Sequence, residues 1–303
     1  MKQYGFWQQP CEATIEVNPG TADLAKLQTL RSLAFDRISF GVQSLQDNEL
    51  QAIGRIHNAQ QALEALALAR KAGFARISAD LIYGLPSQTL TSLQDTLERL
   101  IDTGIEHISV YGLIVEEGTP LASLVDKGKI ILPDEDTAAD MYELVQSFLR
   151  ERGFERYEIS NYAKTGQYSR HNTVYWHYHP YMAFGAAACG FDGQRRRTGL
   201  SAVREYIGQL QSFGGNDLRD SALYNVEELS CAELLEEFMF MGLRRSEGAS
   251  LAEARERFDV DVLQRFASEL APLFEQKLIA YDASTQRLRL TERGMEAVSY
   301  THL

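Results

Sequence analysis

The sequence is short of cysteine, proline, basic residues and long apolar runs, and each shortage excludes something. Three cysteines, Cys11, Cys189 and Cys231, are odd in number and far apart; neither a disulfide framework nor a zinc quartet fits them. Only 7 prolines and 22 glycines occur in 303 residues, too few for a collagenous or low-complexity chain. No run approaches the ~18 apolar residues that a membrane-spanning helix needs, and residues 1–10 lack the apolar core of a signal peptide. Lys and Arg number 30 against 42 Asp and Glu, a formal net charge of −12. So acidic a balance argues against sequence-independent nucleic-acid binding and against a polybasic membrane anchor. The expectation is a cytoplasmic protein that neither binds nucleic acid nor is integral to a membrane.

What is present is an ordinary globular composition, 45% hydrophobic and 24% charged, enough for one large domain or a large and a small one. Short β-rich runs alternate with amphipathic helices. Ala13-Thr14-Ile15-Glu16-Val17 leads into Asn18-Pro19-Gly20-Thr21, where Thr21 is placed to cap a helix carrying Leu24, Leu27 and Leu30. Arg37-Ile38-Ser39-Phe40 leads into Gly41-Val42-Gln43-Ser44 and a helix from about Leu45 to Ile53. Arg76 to Ile82 leads through Tyr83-Gly84-Leu85-Pro86 to a helix from about Thr89 to Asp102, and His107 to Ile114 makes a fourth strand. This rhythm predicts βα units and a parallel sheet or barrel.

A long helix is expected from Pro133-Asp134-Glu135-Asp136 to about Arg152, with Gly153 stopping it. Residues 154–200 are aromatic and turn-rich, and a boundary is expected near Gly214-Gly215-Asn216-Asp217. Beyond it the pattern predicts helices over Val226–Met241, Leu251–Arg257 and Val260–Gln276. A hairpin of Leu278–Tyr281 with Arg287–Leu290 follows, and Thr291-Glu292-Arg293-Gly294 opens a last helix. Helices followed by a two-stranded wing read as a winged-helix-like module. From Ser221 to Leu303 there are 15 acidic and 9 basic residues, which argues against its usual role on DNA.

In a parallel βα array, ligands bind where loops leave the carboxyl ends of the strands. Glu16, Gln43 and Asp80 interrupt apolar runs at or near three such ends. Any one could cap a helix or bond a neighbouring strand. Three together are harder to read as structure, because a buried carboxylate without a partner costs several kcal/mol. Two carboxylates could also serve acid/base hydrolysis, although no strong metal-ligand or nucleophile motif accompanies them.

Four ordered motifs make the pattern specific: Glu16-Val17-Asn18-Pro19-Gly20-Thr21, Arg37-Ile38-Ser39-Phe40-Gly41-Val42-Gln43-Ser44, Gly54-Arg55-Ile56-His57 and Asp80-Leu81-Ile82-Tyr83-Gly84-Leu85-Pro86. Together they resemble the radical S-adenosylmethionine (SAM) proteins of the oxygen-independent coproporphyrinogen III oxidase family. Tyr157-Glu158-Ile159-Ser160-Asn161-Tyr162-Ala163 and His171-Asn172-Thr173-Val174-Tyr175-Trp176 resemble its haem-chaperone (HemW-type) branch most. The resemblance runs over nearly the whole chain. It implies an α/β fold: an incomplete (β/α) barrel over residues 1–132, a helix plus aromatic α+β segment over 133–216, and a winged-helix-like domain over 217–303. It also implies that Glu16, Gln43, Arg55, Asp80 and the backbone near Ile114 line a SAM site. There Arg55 would meet the methionine carboxylate, and Asp80 and Glu16 would accept from ribose hydroxyls and the amino group.

His171, Asn172, Tyr175 and Trp176 would be the haem-linked residues, with a His as axial ligand and aromatic faces against the macrocycle. Other readings of this segment stay open: an aromatic core with hydrogen-bonded imidazoles, or a zinc pair His177-x-His179 on a strand. Arg195, Arg196 and Arg197 could reach haem propionates or form a solvated charge run. Ala187-Ala188-Cys189-Gly190 stands where the family usually shows a Gly-Ala-His-Ser-like stretch, and Cys189 reads as a buried small residue.

The chain also departs from the family. The Cys-x3-Cys-x2-Cys run that holds a [4Fe-4S] cluster is not in it, so no cluster ligand is assigned. The family's glycine-rich strand ahead of Glu16 is missing too. The expectation is that Met1 is an internal start and the chain an amino-terminally truncated one, with Val298 to Leu303 also departing from the pattern. The intact protein is expected to bind haem, SAM and the cluster and to deliver haem to an acceptor. The alternatives are an enzyme that oxidatively decarboxylates coproporphyrinogen III, and a truncated fragment without activity.

Overall fold

The computed structural model describes residues 12–213 and 223–300. Cys11, the boundary expected at Gly214 to Asp217 and the last residues, 301–303, lie outside them. The chain folds as two compact units, residues 1–170 with 292–303, and residues 171–291.

The first unit is built on β1 (Thr14–Val17), α1 (Leu24–Ser32), β2 (Arg37–Gln43), α2 (Asp47–Ala52), α3 (Ala59–Lys71), β3 (Arg76–Tyr83), α4 (Leu90–Asp102), β4 (His107–Gly112), α5 (Pro120–Asp126), α6 (Glu135–Glu151), β5 (Glu155–Arg156) and β6 (Asn161–Ala163). The sheet runs β1-β2-β3-β4-β6-β5. Its first four strands are parallel, as the βα rhythm requires, and β6 and β5 close it antiparallel. Among the described residues it is open, with β1 and β5 at its edges. Because side chains alternate along a strand, the sheet has two unlike faces. Ile38, Phe40, Val42, Ile77, Ala79, Leu81, Ile108, Val110 and Tyr162 pack in one core with residues of the helices. The opposite face carries Arg37, Ser39, Ser78, Asp80, His107, Ser109 and Asn161. That polar face positions the candidate site.

Several elements differ from expectation. The cap of α1 is Asp23, whose carboxylate accepts from the Lys26 amide at 2.8 Å; Thr21 instead ends a short 3-10 turn, Pro19–Thr21. The apolar pattern predicts no helix over α3, although Asn58 and Gln61 form a reciprocal capping box at its start. The fourth strand ends at Gly112, so Ile114 lies in the loop beyond it.

The second unit follows with α7 (Arg170–Trp176), which begins one residue before the division, then β7 (Cys189–Phe191), β8 (Arg195–Gly199), α8 (Val203–Ser212), β9 (Tyr224–Glu228), α9 (Cys231–Arg244), β10 (Ala249–Ser250), α10 (Leu251–Phe258), α11 (Val262–Arg265), α12 (Ala267–Glu275), β11 (Ile279–Asp282) and β12 (Arg287–Leu290). One antiparallel sheet runs β7-β8-β9 and another β10-β12-β11. The predicted hairpin is present, joined by β10 as a third strand. The helix expected from Val226 starts at Cys231, capped by Ser230 in a box with Glu233. Residues Tyr224–Glu228 are strand, because they pair with β8. The helix expected over Val260–Gln276 breaks at Phe266 into α11 and α12. The last helix, α13 (Glu292–Tyr300), belongs to the first unit and packs on α6, with Arg150 3.5 Å from Glu292.

Candidate functional site

The three residues singled out at or near strand ends, Glu16, Gln43 and Asp80, stand on one face of the sheet, toward its carboxyl end. Glu16 pairs in register with Ser39, and Gly41 with Asp80. The Ser39 hydroxyl donates to the Asp80 carboxylate at 3.1 Å, so neighbours of Glu16 and the carboxylate of Asp80 meet directly. A β-bulge between Gly41 and Gln43 and a left-handed backbone at Gln43, φ 68°, re-aim the Gln43 side chain. The floor beneath these groups is Gly41. A methyl there would meet Gln43 Nε2 at 3.0 Å, Arg55 Nη2 at 3.1 Å and Asn18 Oδ1 at 3.8 Å. Arg55 leaves the turn after α2 and donates from Nη1 to Asn18 Oδ1 at 3.4 Å.

Electrostatics tie the group together. Burial pushes the Asp80 carboxyl up; the Ser109 and Ser39 hydroxyls and the Arg37 charge oppose this, and the Glu16 charge adds to it. Burial lowers the Arg55 guanidinium, partly offset by the Asp80 charge. A polar line continues across the sheet. The Ser109 hydroxyl donates to Asn161 Oδ1 at 2.8 Å, and Asn161 Nδ2 donates to the buried Glu158 at 2.5 Å. Ser39, Ser109 and Asn161 were not singled out in advance; their signal was polar residues at alternate positions of otherwise apolar strands.

Ile114, in the loop after β4, is 53% exposed. Its neighbour Leu113 is pinned to β3, its amide N–H donating to the Tyr83 carbonyl at 2.9 Å. Leu113 also lines a cleft of about 630 Å³ with Tyr83, Gly84, Gly112 and the start of α6. Toward the other end of the polar face, His107 is buried between the Ser78 hydroxyl, 2.8 Å from Nδ1, and the Tyr157 hydroxyl, 2.8 Å from Nε2. Burial holds its imidazole well below the usual range. Arg76 pairs there with Glu12 at 2.7 Å.

In the second unit the aromatic motif divides between two sides of α7. His171 and Tyr175 are one turn apart, with their rings edge-on at 5.0 Å and the Tyr175 hydroxyl 2.9 Å from His171 Nε2. Tyr175 packs in turn on Tyr181 at 4.6 Å. Asn172 is half-buried. Trp176 lies under the Arg244 guanidinium, 4.6 Å from the ring, and its Nε1 is buried without a hydrogen-bond partner.

Residues 177–179 are a turn, not the strand expected for a zinc pair. His177 is engaged by the Thr173 carbonyl at 2.7 Å and by Glu247 at 3.3 Å. The three arginines are each held by an acid: Arg195 by Glu228, Arg196 by Glu237 and Glu227, and Arg197 by Asp192. The Arg197 partnership holds the Asp192 carboxyl down at about 2 against its partial burial. Free cations for propionates are therefore not what these three supply.

The residues present fit two of the expected groups and not the third. An acceptor pair, a cation and an amide around a glycine floor suit an amino acid joined to a nucleoside. An exposed imidazole beside aromatic rings packed edge to face suits a porphyrin. The two cysteines among the described residues do not suit an iron–sulfur cluster. Cys189 is half-buried on β7 and Cys231 is exposed at the start of α9. Among the described residues no three His, Cys, Asp or Glu are placed to hold a metal ion. No helix among them is long and apolar enough to cross a membrane.

Comparison with known proteins agrees with both units. Residues 9–100 match the radical SAM superfamily, and residues 229–296 match the HemN C-terminal domain. The chain is 38% identical over 283 residues to the haem chaperone HemW of Bacillus subtilis, covering 93% of this chain and 73% of that protein. To HemW of Lactococcus lactis it is 33% identical over 285 residues, covering 94% and 73%. A mitochondrial radical S-adenosyl methionine domain-containing protein 1 of Danio rerio is 37% identical over 245 residues, covering 78% and 54%. In fold it is similar to the coproporphyrinogen III oxidase HemN of Escherichia coli, with a TM-score of 0.76, 22% identity and coverage of 96% and 70%.

Proposed function

Because the chain belongs to the family of the HemW haem chaperones, within the radical SAM superfamily, we propose that it binds haem and SAM and passes haem to an acceptor protein in the cytoplasm. SAM would be held at the carboxyl ends of β1 to β3, with Arg55 toward its carboxylate, Glu16 and Asp80 toward amino and hydroxyl groups, Gln43 alongside and the backbone at Ile114 at the edge. SAM supplies a sulfonium whose cleavage yields a radical when a reducing cluster is bound to it. The cysteines for that cluster are not in this sequence, and no step is derived through it. Arg55 and Asp80 bind and orient; the Ser39 hydroxyl holds the Asp80 carboxylate in place.

The observation that carries the haem reading is the exposed His171 imidazole oriented by Tyr175 on α7, inside the motif shared with the haem-chaperone branch. His171 would offer haem an imidazole donor, and Tyr175, whose hydroxyl lies 2.9 Å from Nε2, would fix the ring that presents it. The rival reading, decarboxylation of coproporphyrinogen III, is the weaker: the oxidase HemN is 22% identical, whereas the HemW relatives are 33–38% identical.

The test is haem titration, followed by the Soret band, of wild type and the His171→Ala, Trp176→Ala and Cys189→Ala variants. One of the first two weakens binding by at least about tenfold, ~1.4 kcal/mol, and Cys189→Ala stays near wild type. Equal affinity in all four would return the motif to the aromatic core. Anaerobic turnover of coproporphyrinogen would favour the rival.

A further inference from the structure

His57 has no role in the site described above, yet it is 4% exposed and directed at the strand segment that shapes that site. Its Nε2 lies 3.1 Å from the Val42 carbonyl. A carbonyl can only accept, so Nε2 carries the proton and the ring donates. Val42 lies between Gly41 and Gln43, where the β2–β3 register shifts. The next residue, Gln43, has φ 68°, a conformation that costs a non-glycine residue of order 1 kcal/mol or more and persists only where neighbours enforce it. The enforcement comes from two sides. The Ser44 amide donates to the same Val42 carbonyl at 2.9 Å, and His57 donates from across the turn.

His57 itself is fixed. It immediately precedes Asn58, the cap of α3, and the Ala59 amide donates to Asp47 Oδ1 at 2.8 Å. The turn that carries it also carries Arg55, whose amide donates to the Leu50 carbonyl at 2.9 Å. One short segment, Gly54 to Asn58, thus sets Arg55 on one side of the Gly41 floor and, through His57, the bulge that sets Gln43 on the other.

We propose that His57 is a positioning residue of the SAM site: its hydrogen bond to Val42 locks the β2 bulge and so holds the Gln43 amide over the Gly41 floor that Arg55 also reaches. The inference rests on the reading of Gln43 and Arg55 as SAM-binding residues. Burial lowers the imidazole from its ordinary range, the bond to the Val42 carbonyl opposes this, and the Arg55 charge adds to the lowering.

Substitution separates the lock from the fold. Val42's carbonyl keeps its bond from Ser44 when His57 is lost, so His57→Leu leaves no orphaned acceptor there. In His57→Leu the Ser44 amide exchanges at least about tenfold faster, while the core-strand amides of Ile38 and Ile77 exchange as in wild type. SAM affinity, read by calorimetry on the full chain, falls at least about tenfold. His57→Gln, whose amide nitrogen can occupy the position of Nε2, restores both. Arg55→Ala is the arm that reads the site. Unchanged Ser44 exchange in His57→Leu overturns the proposal. So does faster exchange with wild-type SAM affinity, or a Gln variant that behaves like Leu. If Arg55→Ala weakens SAM and His57→Leu does not, only this inference falls. If wild type binds no SAM, or Arg55→Ala binds it equally well, the site reading falls and the inference with it.

Discussion

Asp80 shows at the scale of one residue that the site is held at some expense to the fold. Burial raises its carboxyl above the ordinary 3.8. A carboxyl raised in the folded state adds stability only below its unfolded value and loses that contribution as pH rises through the folded one. At neutral pH the ionised form is therefore a burden. Asp80→Asn is expected to be no less stable than wild type in denaturant at pH 7, and to bind SAM at least about tenfold more weakly. A clear loss of stability would assign Asp80 to the structure.

His107 works the other way. Its imidazole is held well below the ordinary 6.5 by burial, with the Arg37 and Arg76 charges adding. The neutral ring's contribution is complete above 6.5 and is lost as pH falls below it, because the unfolded chain takes up the proton first. The denaturation midpoint of wild type should drop between pH 7 and pH 5, and His107→Gln should drop less. An equal drop in both would place the effect elsewhere; His57, lowered by burial in the same direction, is the next group to examine.

Among the elements, the contact of α9 with the short sheet beside it depends on the absence of one side chain. A methyl at Gly242 would lie 2.6 Å from Ala249 Cβ and 2.9 Å from its Cα, and backbone cannot yield as a flexible side chain can. Gly242→Ala should cost about 1–3 kcal/mol, seen as a lower thermal midpoint, although alanine favours a helix interior. An unchanged midpoint would mean β10 can move away freely.

Elements were unevenly legible in the sequence, for reasons that can be named. The strands β2, β3 and β4 stood out because one face of each is continuous core. The helix α3 did not, since Ala62, Ala65 and Ala69 bury a face with little apolar contrast. Residues 226–228 look helical alone. They become strand because Glu227 and Glu228 lie across from Arg196 and Arg195, and those pairs form ion pairs. Thr21 lost the cap of α1 to Asp23 because the short turn Pro19–Thr21 delays the helix.

For the whole molecule, the distribution of cysteine decides which cofactor chemistry the chain can support. Cys189 is half-buried in a strand, Cys231 is exposed on a helix, and no group of metal-binding side chains forms among the described residues. After anaerobic reconstitution with iron and sulfide, the chain should not retain about four irons with iron–sulfur absorbance. A stable cluster at that stoichiometry would refute this and require ligands of another kind. The two units also separate the questions experimentally: Glu16, Gln43, Arg55 and Asp80 lie in the first, while His171, Tyr175 and Trp176 lie in the second.

By itself the sequence determined the alternation of strand and helix, the placing of Glu16, Gln43 and Asp80 at or near the carboxyl ends of strands, and the family. All of these are carried by local pattern: apolar period, turn residues and ordered motifs. Only the tertiary structure decided which groups touch. It set Gly41 as the floor between Gln43 and Arg55, joined Ser39 to Asp80 across 41 positions of sequence, and turned Trp176 to Arg244 and away from the His171–Tyr175 pair. It also matched each of the three arginines to an acid: Arg195 and Arg196 by strand register across β8 and β9, Arg196 also by the approach of α9, and Arg197 to Asp192 in the turn between β7 and β8. Such contacts depend on register and on crossing between elements, which the pattern of any single segment does not encode.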